Sequence, residues 1–251
     1  MQANLLILGG TTEATALCKA LAERGFSGVV SFAGRVERPR RQPLPQRMGG
    51  FGGVDGLRTY LRDHAVTHVI DATHPFAAQM SFNAVAACDA ESVPLVALTR
   101  APWSPVDGDN WTRVPNTAEA VAALARPARN VMLAVGRQTL AAFAPNQQHR
   151  YLLRLVDPPE NPPPFERYDV SVSRGPFTVE GDRALLQQHK IELIVSKNSG
   201  GAGAYAKILA ARELGLPVIM IDRPAQPPRH ELYTVADVLA WLSHPGTERG
   251  V

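Results

Sequence analysis

The sequence has little cysteine and no long hydrophobic run. Only Cys18 and Cys88 occur among its 251 residues, and their separation fits neither a C-x-x-C motif nor a metal-binding cluster. We therefore expect both thiols to be buried as small apolar side chains. No apolar stretch approaches the roughly 18 residues of a membrane span, and no basic region precedes the first apolar segment. These absences predict a cytoplasmic protein that does not associate with a membrane.

Several catalytic motifs are also missing. The chain has no G-x-S-x-G elbow, no H-E-x-x-H pair and no Cys/His spacing suited to zinc, which excludes acyl-enzyme and zinc chemistry and predicts no bound metal. Lysine is scarce, since four of the 26 basic residues are lysines and the rest are arginines. The guanidinium group of arginine binds carboxylates and phosphates through two parallel hydrogen bonds, so the bias toward arginine is compatible with an acidic ligand. The alternative explanation is codon usage in a GC-rich genome. A dense basic stripe with interleaved aromatic residues is absent, so no nucleic acid is expected as a partner.

Strand and helix patterns alternate along the whole chain, which predicts the α/β class with largely parallel sheets. Residues 101–115 carry three prolines and one glycine and break both periodicities, so they are predicted to form a linker. We expect two Rossmann-like, doubly wound parallel-sheet domains, residues 1–112 and 113–251, that face a shared cleft. In open sheets of this kind the ligand binds outside the carboxyl ends of the strands. The segments that follow the predicted strands are therefore the places to look for a site.

The first predicted strand, residues 4–8, ends in Gly9-Gly10-Thr11-Thr12-Glu13 directly before a predicted helix. Glycines let the backbone approach an anion, and a helix N-terminus adds unpaired amides and a positive dipole end. This segment predicts a phosphate site, in which Thr11 or Thr12 caps the helix or donates its hydroxyl to the ligand. The alternative is a capped helix start without a ligand, because the segment departs from the G-x-G-x-x-G fingerprint and Glu13 would repel a phosphate above it.

The second predicted strand ends at Gly34-Arg35. In dinucleotide-binding domains an arginine at this place accommodates a 2′-phosphate, whereas an acidic residue binds the ribose hydroxyl. Arg35 therefore favours NADP(H) over NAD(H) if a dinucleotide binds here. The alternative is a solvated loop arginine.

A further strand, residues 67–71, leads into the stretch Asp71-Ala72-Thr73-His74-Pro75. An unpaired carboxylate at the end of a buried strand is costly, so Asp71 is expected to bind neighbouring loop amides. Thr73 and His74 are then expected to face the cleft. For His74 the sequence leaves open a ligand-binding or proton-transfer role and a purely structural hydrogen bond.

The second half repeats this arrangement with more cations. A predicted strand ends in Lys197-Asn198-Ser199-Gly200-Gly201 directly before a helix, which favours a second anion site and leaves turn chemistry as the alternative. The stretch lacks the upstream residues of a Walker loop. Three further basic residues at predicted strand ends or in loops make the set suited to a ligand with several negative charges; they are Arg100, Arg137 and Arg174.

Taken together, the loop sequences resemble one known family. The stretches ILGGTTEA, DATHPFA, GRQTL, SRGPF and SKNSGG occur in this order at predicted strand ends, and AKILAARELGLPVIMIDRP follows them. With these motifs the chain resembles, over roughly residues 4–243, the precorrin-6A/cobalt-precorrin-6A reductase family of cobalamin biosynthesis. The resemblance implies an NADPH-dependent oxidoreductase that delivers hydride to a double bond of a polycarboxylate tetrapyrrole, between macrocycle carbons 18 and 19. The product of precorrin-6A would then be precorrin-6B.

The resemblance and the loop positions together suggest how the site is divided. The first domain would be the NADPH side and the second the side that holds substrate carboxylates, while His74 is the candidate for proton handling. The cofactor-binding candidates are Gly9, Gly10, Thr11, Thr12, Arg35 and Thr73. The substrate-binding candidates are Arg100, Arg137, Arg174, Lys197, Asn198, Ser199, Gly200 and Gly201.

Other functions stay open on the sequence alone. The motifs do not separate a metal-free substrate from the cobalt-containing ring of the anaerobic route. A two-domain transferase with a nucleotide donor and a non-catalytic tetrapyrrole carrier are alternatives from other classes, and neither would oxidise NADPH. Neighbouring enzymes of the pathway are the candidate protein partners, through hand-over of the product.

Overall fold

The computed structural model describes residues 3–33 and 41–243. Contacts within the chain group it into two compact units. Unit 1 consists of Met1–Ala101 and Ala225–Val251, and unit 2 consists of Pro102–Pro224. This grouping differs from the expected division at residues 112/113, because unit 2 begins earlier and the chain returns to unit 1 at residue 225.

The first segment of unit 1 alternates strands with helices. In chain order it contains β1 (Asn4–Leu8), α1 (Thr12–Glu23), β2 (Ser27–Phe32), β3 (Gln46–Met48), α2 (Gly53–Asp63), β4 (His68–Asp71), α3 (Ala78–Glu91) and β5 (Leu95–Leu98).

Unit 2 follows the same alternation and includes one 3-10 helix, Arg137–Phe143. Its strands and α-helices are β6 (Trp111–Val114), α4 (Thr117–Ala123), β7 (Asn130–Ala134), β8 (Arg150–Leu155), β9 (Tyr168–Val172), α5 (Val179–Gln188), β10 (Leu193–Lys197), α6 (Ala206–Glu213) and β11 (Val218–Ile221).

The returning segment adds β12 (Glu231–Leu232) and α7 (Val235–Ser243) to unit 1. Unit 1 then has a six-stranded sheet in the order β3-β2-β1-β4-β5-β12, and unit 2 has one in the order β9-β8-β7-β10-β11-β6. Every pair of neighbouring strands in both sheets is parallel. The predicted α/β class with two Rossmann-like parallel sheets is therefore confirmed.

Strand β1 shows why the sheet of unit 1 is covered on both faces. Leu5 and Ile7 belong to a buried cluster with residues of α1 and α7, while Leu6 and Leu8 belong to another with residues of α2 and α3. Successive side chains of a strand point to opposite faces, so a strand with helices on both sides needs an uninterrupted apolar run. The run of four apolar residues thus determines a central strand.

The prediction missed four strands, β3, β6, β9 and β12, and all four lie at sheet edges. The predicted linker 101–115 contains one of them, β6, in which Thr112 and Arg113 are exposed. An edge strand has one neighbour and is partly solvated, so it can do without the apolar run that reveals a central strand. β12 has only two residues, which is too short for any periodicity.

Among residues 3–33 and 41–243, no helix is both long enough and apolar enough to cross a membrane.

Candidate functional site

In unit 1 the strand order reverses between β1 and β4. β2 and β3 lie on one side of β1, and β4, β5 and β12 lie on the other. In open α/β sheets the ligand binds at such a switch point, in the crevice outside the carboxyl ends of the two strands. The loops that begin at Gly9 and Ala72 meet there, and they contain the GGTTE and DATHPFA motifs.

The two glycines after β1 serve different purposes. A Cβ on Gly9 would lie 2.9 Å from Cγ2 of Val30, so this position needs glycine for packing against β2. Gly10 has φ 125°, and a Cβ on it would meet no heavy atom within 4 Å, so its backbone is exposed beside the start of α1. Relative to the G-x-G-x-x-G fingerprint, Thr11 occupies the second glycine position and the buried Ala14 the third.

The hydroxyl groups of the GGTTE loop are used within unit 1. Thr11 Oγ1 accepts from the amide of Ala14 at 3.1 Å and so caps α1, as predicted for Thr11 or Thr12, and it donates to the carbonyl of Ala72 at 2.8 Å. Thr12 donates to Oε2 of Glu13 at 3.0 Å. Thr11 therefore joins the loop after β1 to the loop after β4, which fixes the two walls of the crevice to each other.

An ion pair lies in the same crevice. Arg100 follows β5, and its Nη1 is 2.7 Å from Oε2 of Glu13. Burial by itself would raise the pKa of the Glu13 carboxyl, but the Arg100 guanidinium and hydrogen bonds to it lower that pKa below its ordinary value. The crevice is thus close to neutral in charge; its other lining residues are Thr11, Thr73, Pro75, Leu98 and Thr99.

Asp71, the last residue of β4, is buried beneath the DATHPFA loop. Its Oδ1 accepts from the amide of Thr73 at 3.1 Å and from the Thr73 hydroxyl at 2.7 Å. The prediction that Asp71 binds a neighbouring loop amide is therefore confirmed. Its Oδ2 accepts from Ser81 and from Arg229, both at 2.6 Å. Arg229 had not been singled out in the sequence, because no local pattern links it to β4.

His74 is half-buried in the same loop. Its Nδ1 accepts from the amide of Phe76 at 3.2 Å, so the proton of the neutral ring is on Nε2. The structural hydrogen bond that the sequence left open is thus present, and it directs one ring nitrogen into the loop. Arg35, the predicted 2′-phosphate residue, lies outside the described residues.

In unit 2 the switch point falls between β7 and β10. Lys197 ends β10, and its Nζ donates to the hydroxyl of Thr139 at 2.7 Å, which joins the two loops at this point. Gly200 and Gly201 both have left-handed φ values, 69° and 66°, so the chain turns sharply here.

Asn198 holds the KNSGG loop against the start of unit 2. Its side chain is buried; Oδ1 accepts from the Trp103 amide and Nδ2 donates to the Trp103 carbonyl, each at 2.8 Å. Arg223, which follows β11, donates to the carbonyls of Asn198 and Ser199 at 3.0 Å. Arg223 was missed although it follows a predicted strand, and the rule that selected Arg100 would also have found it.

The other two predicted substrate cations lie on the surface of unit 2. Arg137 begins the 3-10 helix after β7 and pairs with Glu160 at 3.3 Å. Arg174 follows the edge strand β9 and pairs with Asp157. The structure therefore brings Arg137 and Lys197 to loops of the same switch point, while Arg174 lies at the far edge of the sheet.

Each of the two parallel sheets has glycine, hydroxyl and basic residues at its switch point. This arrangement is that of a Rossmann-like α/β protein, in which ligands bind at the carboxyl ends of the strands. Comparison with known proteins gives the particular family. The model of the precorrin-6x reductase family, CbiJ/CobK, matches residues 4–243, and the chain belongs to this family. It is therefore an oxidoreductase.

Relatives in the family differ in how similar they are to this chain. A precorrin-6A reductase of Rhodobacter capsulatus is 58% identical over 99% of both chains. A solved structure of CobK precorrin-6A reductase superposes with a TM-score of 0.94 at 57% identity and covers 99% of this chain and 100% of its own. A cobalt-precorrin-6A reductase of Priestia megaterium is 31% identical over 88% of this chain and 90% of its own.

Proposed function

We propose that the protein catalyses the NADPH-dependent reduction of precorrin-6A to precorrin-6B in cobalamin biosynthesis. Hydride is delivered to the double bond between macrocycle carbons 18 and 19, and a proton is taken up at the other end of that bond. The observation that carries this proposal is the 58% identity to a precorrin-6A reductase across 99% of both chains.

The metal-free ring is the substrate favoured over the cobalt-containing one. The identity to the precorrin-6A reductase is 58%, against 31% to the cobalt-precorrin-6A reductase. The second candidate function, reduction of cobalt-precorrin-6A, is supported by membership of the same family.

For the cofactor we propose the switch point of unit 1. The exposed backbone at Gly10, the open space beside it and the N-terminal end of α1 fit a dinucleotide phosphate. Gly9, Thr11 and Thr12 hold this loop in shape, and Thr73 is the polar group on the opposite wall. Arg35 is proposed to bind the 2′-phosphate. NADPH, when bound, supplies the hydride, and the cytoplasm is the proposed location because reduced nicotinamide is available there.

For the substrate carboxylates we propose the cations at the loops of unit 2, together with Arg100. Nζ of Lys197 donates to the hydroxyl of Thr139, and Arg137 pairs with a glutamate that is 63% exposed. Exposed pairs are worth little, so a substrate carboxylate can replace such a partner at small cost. Arg174, Ser199, Gly200 and Gly201 complete the proposed set, and Asn198 contributes by fixing the loop through Trp103.

His74 is proposed to handle the proton. In the neutral ring Nδ1 accepts from the amide of Phe76, so Nε2 carries the hydrogen and is the atom able to donate it. His74→Gln retains a donor of similar size but cannot take up a second proton. Unchanged turnover of this variant across the pH range would contradict the role.

The decisive experiment follows the near-ultraviolet absorbance of NADPH with purified protein and either metal-free or cobalt-loaded precorrin-6A. We expect the absorbance to fall with the metal-free ring and precorrin-6B to form in equal amount. Preference for the cobalt-loaded ring would favour the second candidate. No NADPH oxidation with either ring would contradict both and favour a carrier or a transferase. Product hand-over to a neighbouring pathway enzyme is tested by adding that enzyme to the same assay.

A further inference from the structure

Arg229 forms a buried ion pair with the residue that supports the DATHPFA loop. It lies in the segment that returns to unit 1, close before β12. Its Nη1 is 2.6 Å from Oδ2 of Asp71, and the two side chains are only 6% and 1% exposed. A second contact, from Nε to Glu231 at 3.3 Å, fixes the plane of the guanidinium.

The two carboxylate oxygens of Asp71 face different partners. Oδ2 is held by Arg229 and Ser81, whereas Oδ1 accepts both the amide and the hydroxyl of Thr73. An ionised carboxylate is purely an acceptor and can satisfy all four donors. The orientation that Arg229 imposes on the carboxylate therefore determines where Oδ1 lies, and with it the orientation of Thr73.

The same returning segment contacts the loop at another point. Nε2 of Gln226 donates to the carbonyl of Pro75 at 2.7 Å. Thr73 and Pro75 both line the crevice at the switch point of unit 1. Residues 226–229 thus hold the wall of the crevice that faces the GGTTE loop.

We propose that Arg229 is a positioning residue for the cofactor site, acting through Asp71 on Thr73. This inference rests on the proposed function, because it assigns the crevice of unit 1 to the nicotinamide dinucleotide. Arg229 makes no contact with the ligand in this scheme. It keeps the hydroxyl of Thr73 and the backbone of the loop in the geometry that ligand binding requires. Small displacements of these groups weaken binding strongly.

The test compares matched variants of unit 1. Arg229→Lys keeps the charge but cannot hold Asp71 and Glu231 with one planar fork. Arg58→Lys is the control, because Arg58 also pairs with a carboxylate, Glu91 on α3, at 2.8 Å. Thr73→Val removes the hydroxyl that Asp71 orients. The double variant Arg229→Lys/Thr73→Val shows whether the two positions act together.

Two quantities are measured for each variant, namely amide hydrogen exchange of residues 72–77 in the free protein and the dissociation constant for NADPH. For Arg229→Lys we expect faster exchange in this loop and about tenfold weaker NADPH binding. Thr73→Val should weaken binding to a similar degree, and the double variant should be no weaker than either single variant. Arg58→Lys should change neither quantity.

Unchanged exchange of residues 72–77 in Arg229→Lys would overturn the proposal, and so would faster exchange with unchanged NADPH affinity. Additive losses of affinity in the double variant would also overturn it, since they would mean that Arg229 acts independently of Thr73. Absence of NADPH binding by the wild-type protein would instead refute the proposed function together with the cofactor part of this inference. The exchange data on the free protein would then still decide whether Arg229 orders the loop.

Discussion

The two units are built on the same strand order and differ in what they present at their switch points. Each has a five-stranded core, β3-β2-β1-β4-β5 in unit 1 and β9-β8-β7-β10-β11 in unit 2. A sixth strand pairs with the last of these in both sheets; it is β12, from the end of the chain, in unit 1 and β6, from the start of the unit, in unit 2. The same scaffold thus carries two different sets of loops.

A threonine joins the loops at each switch point, with different consequences for charge. In unit 1 Thr11 donates to a backbone carbonyl, and the nearby cation Arg100 is neutralised by Glu13. In unit 2 Thr139 accepts from the ammonium of Lys197. A near-neutral crevice beside a helix N-terminus suits a ligand that is held by backbone amides, whereas a lysine at the end of a strand suits a carboxylate. This difference agrees with the proposal that cofactor and substrate bind to different units.

The buried charges differ between the units as well. Within the part of unit 1 that the structure describes, Asp71 and Arg229 form a buried, balanced pair. Unit 2 buries the pair Arg154 and Asp182 and, close to them, the lysine Lys207. Nζ of Lys207 donates to the carbonyl of Ala204 at 2.6 Å and lies 4.8 Å from the centre of the Trp103 ring. Burial, and then the positive charge of Arg154, lower the pKa of Lys207 to about 7, although Asp182 acts in the opposite direction.

The largest effect is therefore expected from Lys207, through the dependence of stability on pH. Below pH about 7 the ammonium is charged in both states, and between about 7 and 10.5 only the unfolded chain keeps the proton. As the pH rises through this range, the free energy of unfolding of the wild type should therefore increase relative to that of Lys207→Met, by on the order of 2–4 kcal/mol. Denaturant unfolding at pH 7 and at pH 10 measures the difference.

Lys19→Met is the control for this prediction, because the side chain of Lys19 is 76% exposed. Its stability should follow that of the wild type at both pH values. A constant difference between wild type and Lys207→Met from pH 7 to pH 10 would contradict the lowered pKa of Lys207.

A smaller loss of stability is expected from substitution of the glycines that follow β1 in unit 1 and β7 in unit 2. Gly10 has φ 125° and Gly136 has φ 81°, and neither Cβ would meet a neighbouring atom. Gly10→Ala and Gly136→Ala should therefore each cost on the order of 1–2 kcal/mol of stability through backbone strain alone. Only Gly10→Ala should weaken NADPH binding, by about tenfold, because its loop is the proposed phosphate site.

Each variant serves as the control for the other, since the strain is of the same kind. Isothermal titration with NADPH separates the two outcomes. If Gly136→Ala loses affinity and Gly10→Ala does not, the cofactor belongs to unit 2 and the division of roles between the units is reversed.

The sequence predicted best what a single strand and its following loop determine. The run Leu5-Leu6-Ile7-Leu8 predicts a central strand because such a strand is covered on both faces and must be apolar on both. The GGTTE, DATHPFA and KNSGG motifs follow predicted strands of this kind. The four edge strands escaped prediction because they are partly solvated or very short. Arg229 escaped because its pairing with Asp71 depends on the return of the chain to unit 1, which is a long-range property of the fold. The ion pair of Arg100, a predicted substrate cation, with Glu13 is equally non-local, since the two residues are 87 positions apart in the sequence.

The smallest effect is expected from Glu13, whose pair with Arg100 is partly exposed, 27% for the glutamate side chain and 15% for the arginine. Glu13→Gln should cost about 0.5–1 kcal/mol of stability near neutral pH. The folded-state pKa of Glu13 is lowered, so this contribution is fully present above the ordinary glutamate pKa and is lost as the pH falls through the folded-state value. Unfolding free energies of wild type and variant should therefore converge in acid.

The same variant tests why unit 1 keeps a carboxylate in a proposed phosphate site. Glu13 lies in the first turn of α1, where its charge opposes an anionic ligand, so Glu13→Gln should bind NADPH about two- to fivefold more tightly. Glu119, in the first turn of α4 in unit 2, is the matched control, and Glu119→Gln should leave the affinity unchanged. Unaltered or weaker NADPH binding by Glu13→Gln would mean that the phosphates do not lie at the start of α1. In that case the ion pair with Arg100 would remain as the reason for a carboxylate at this position.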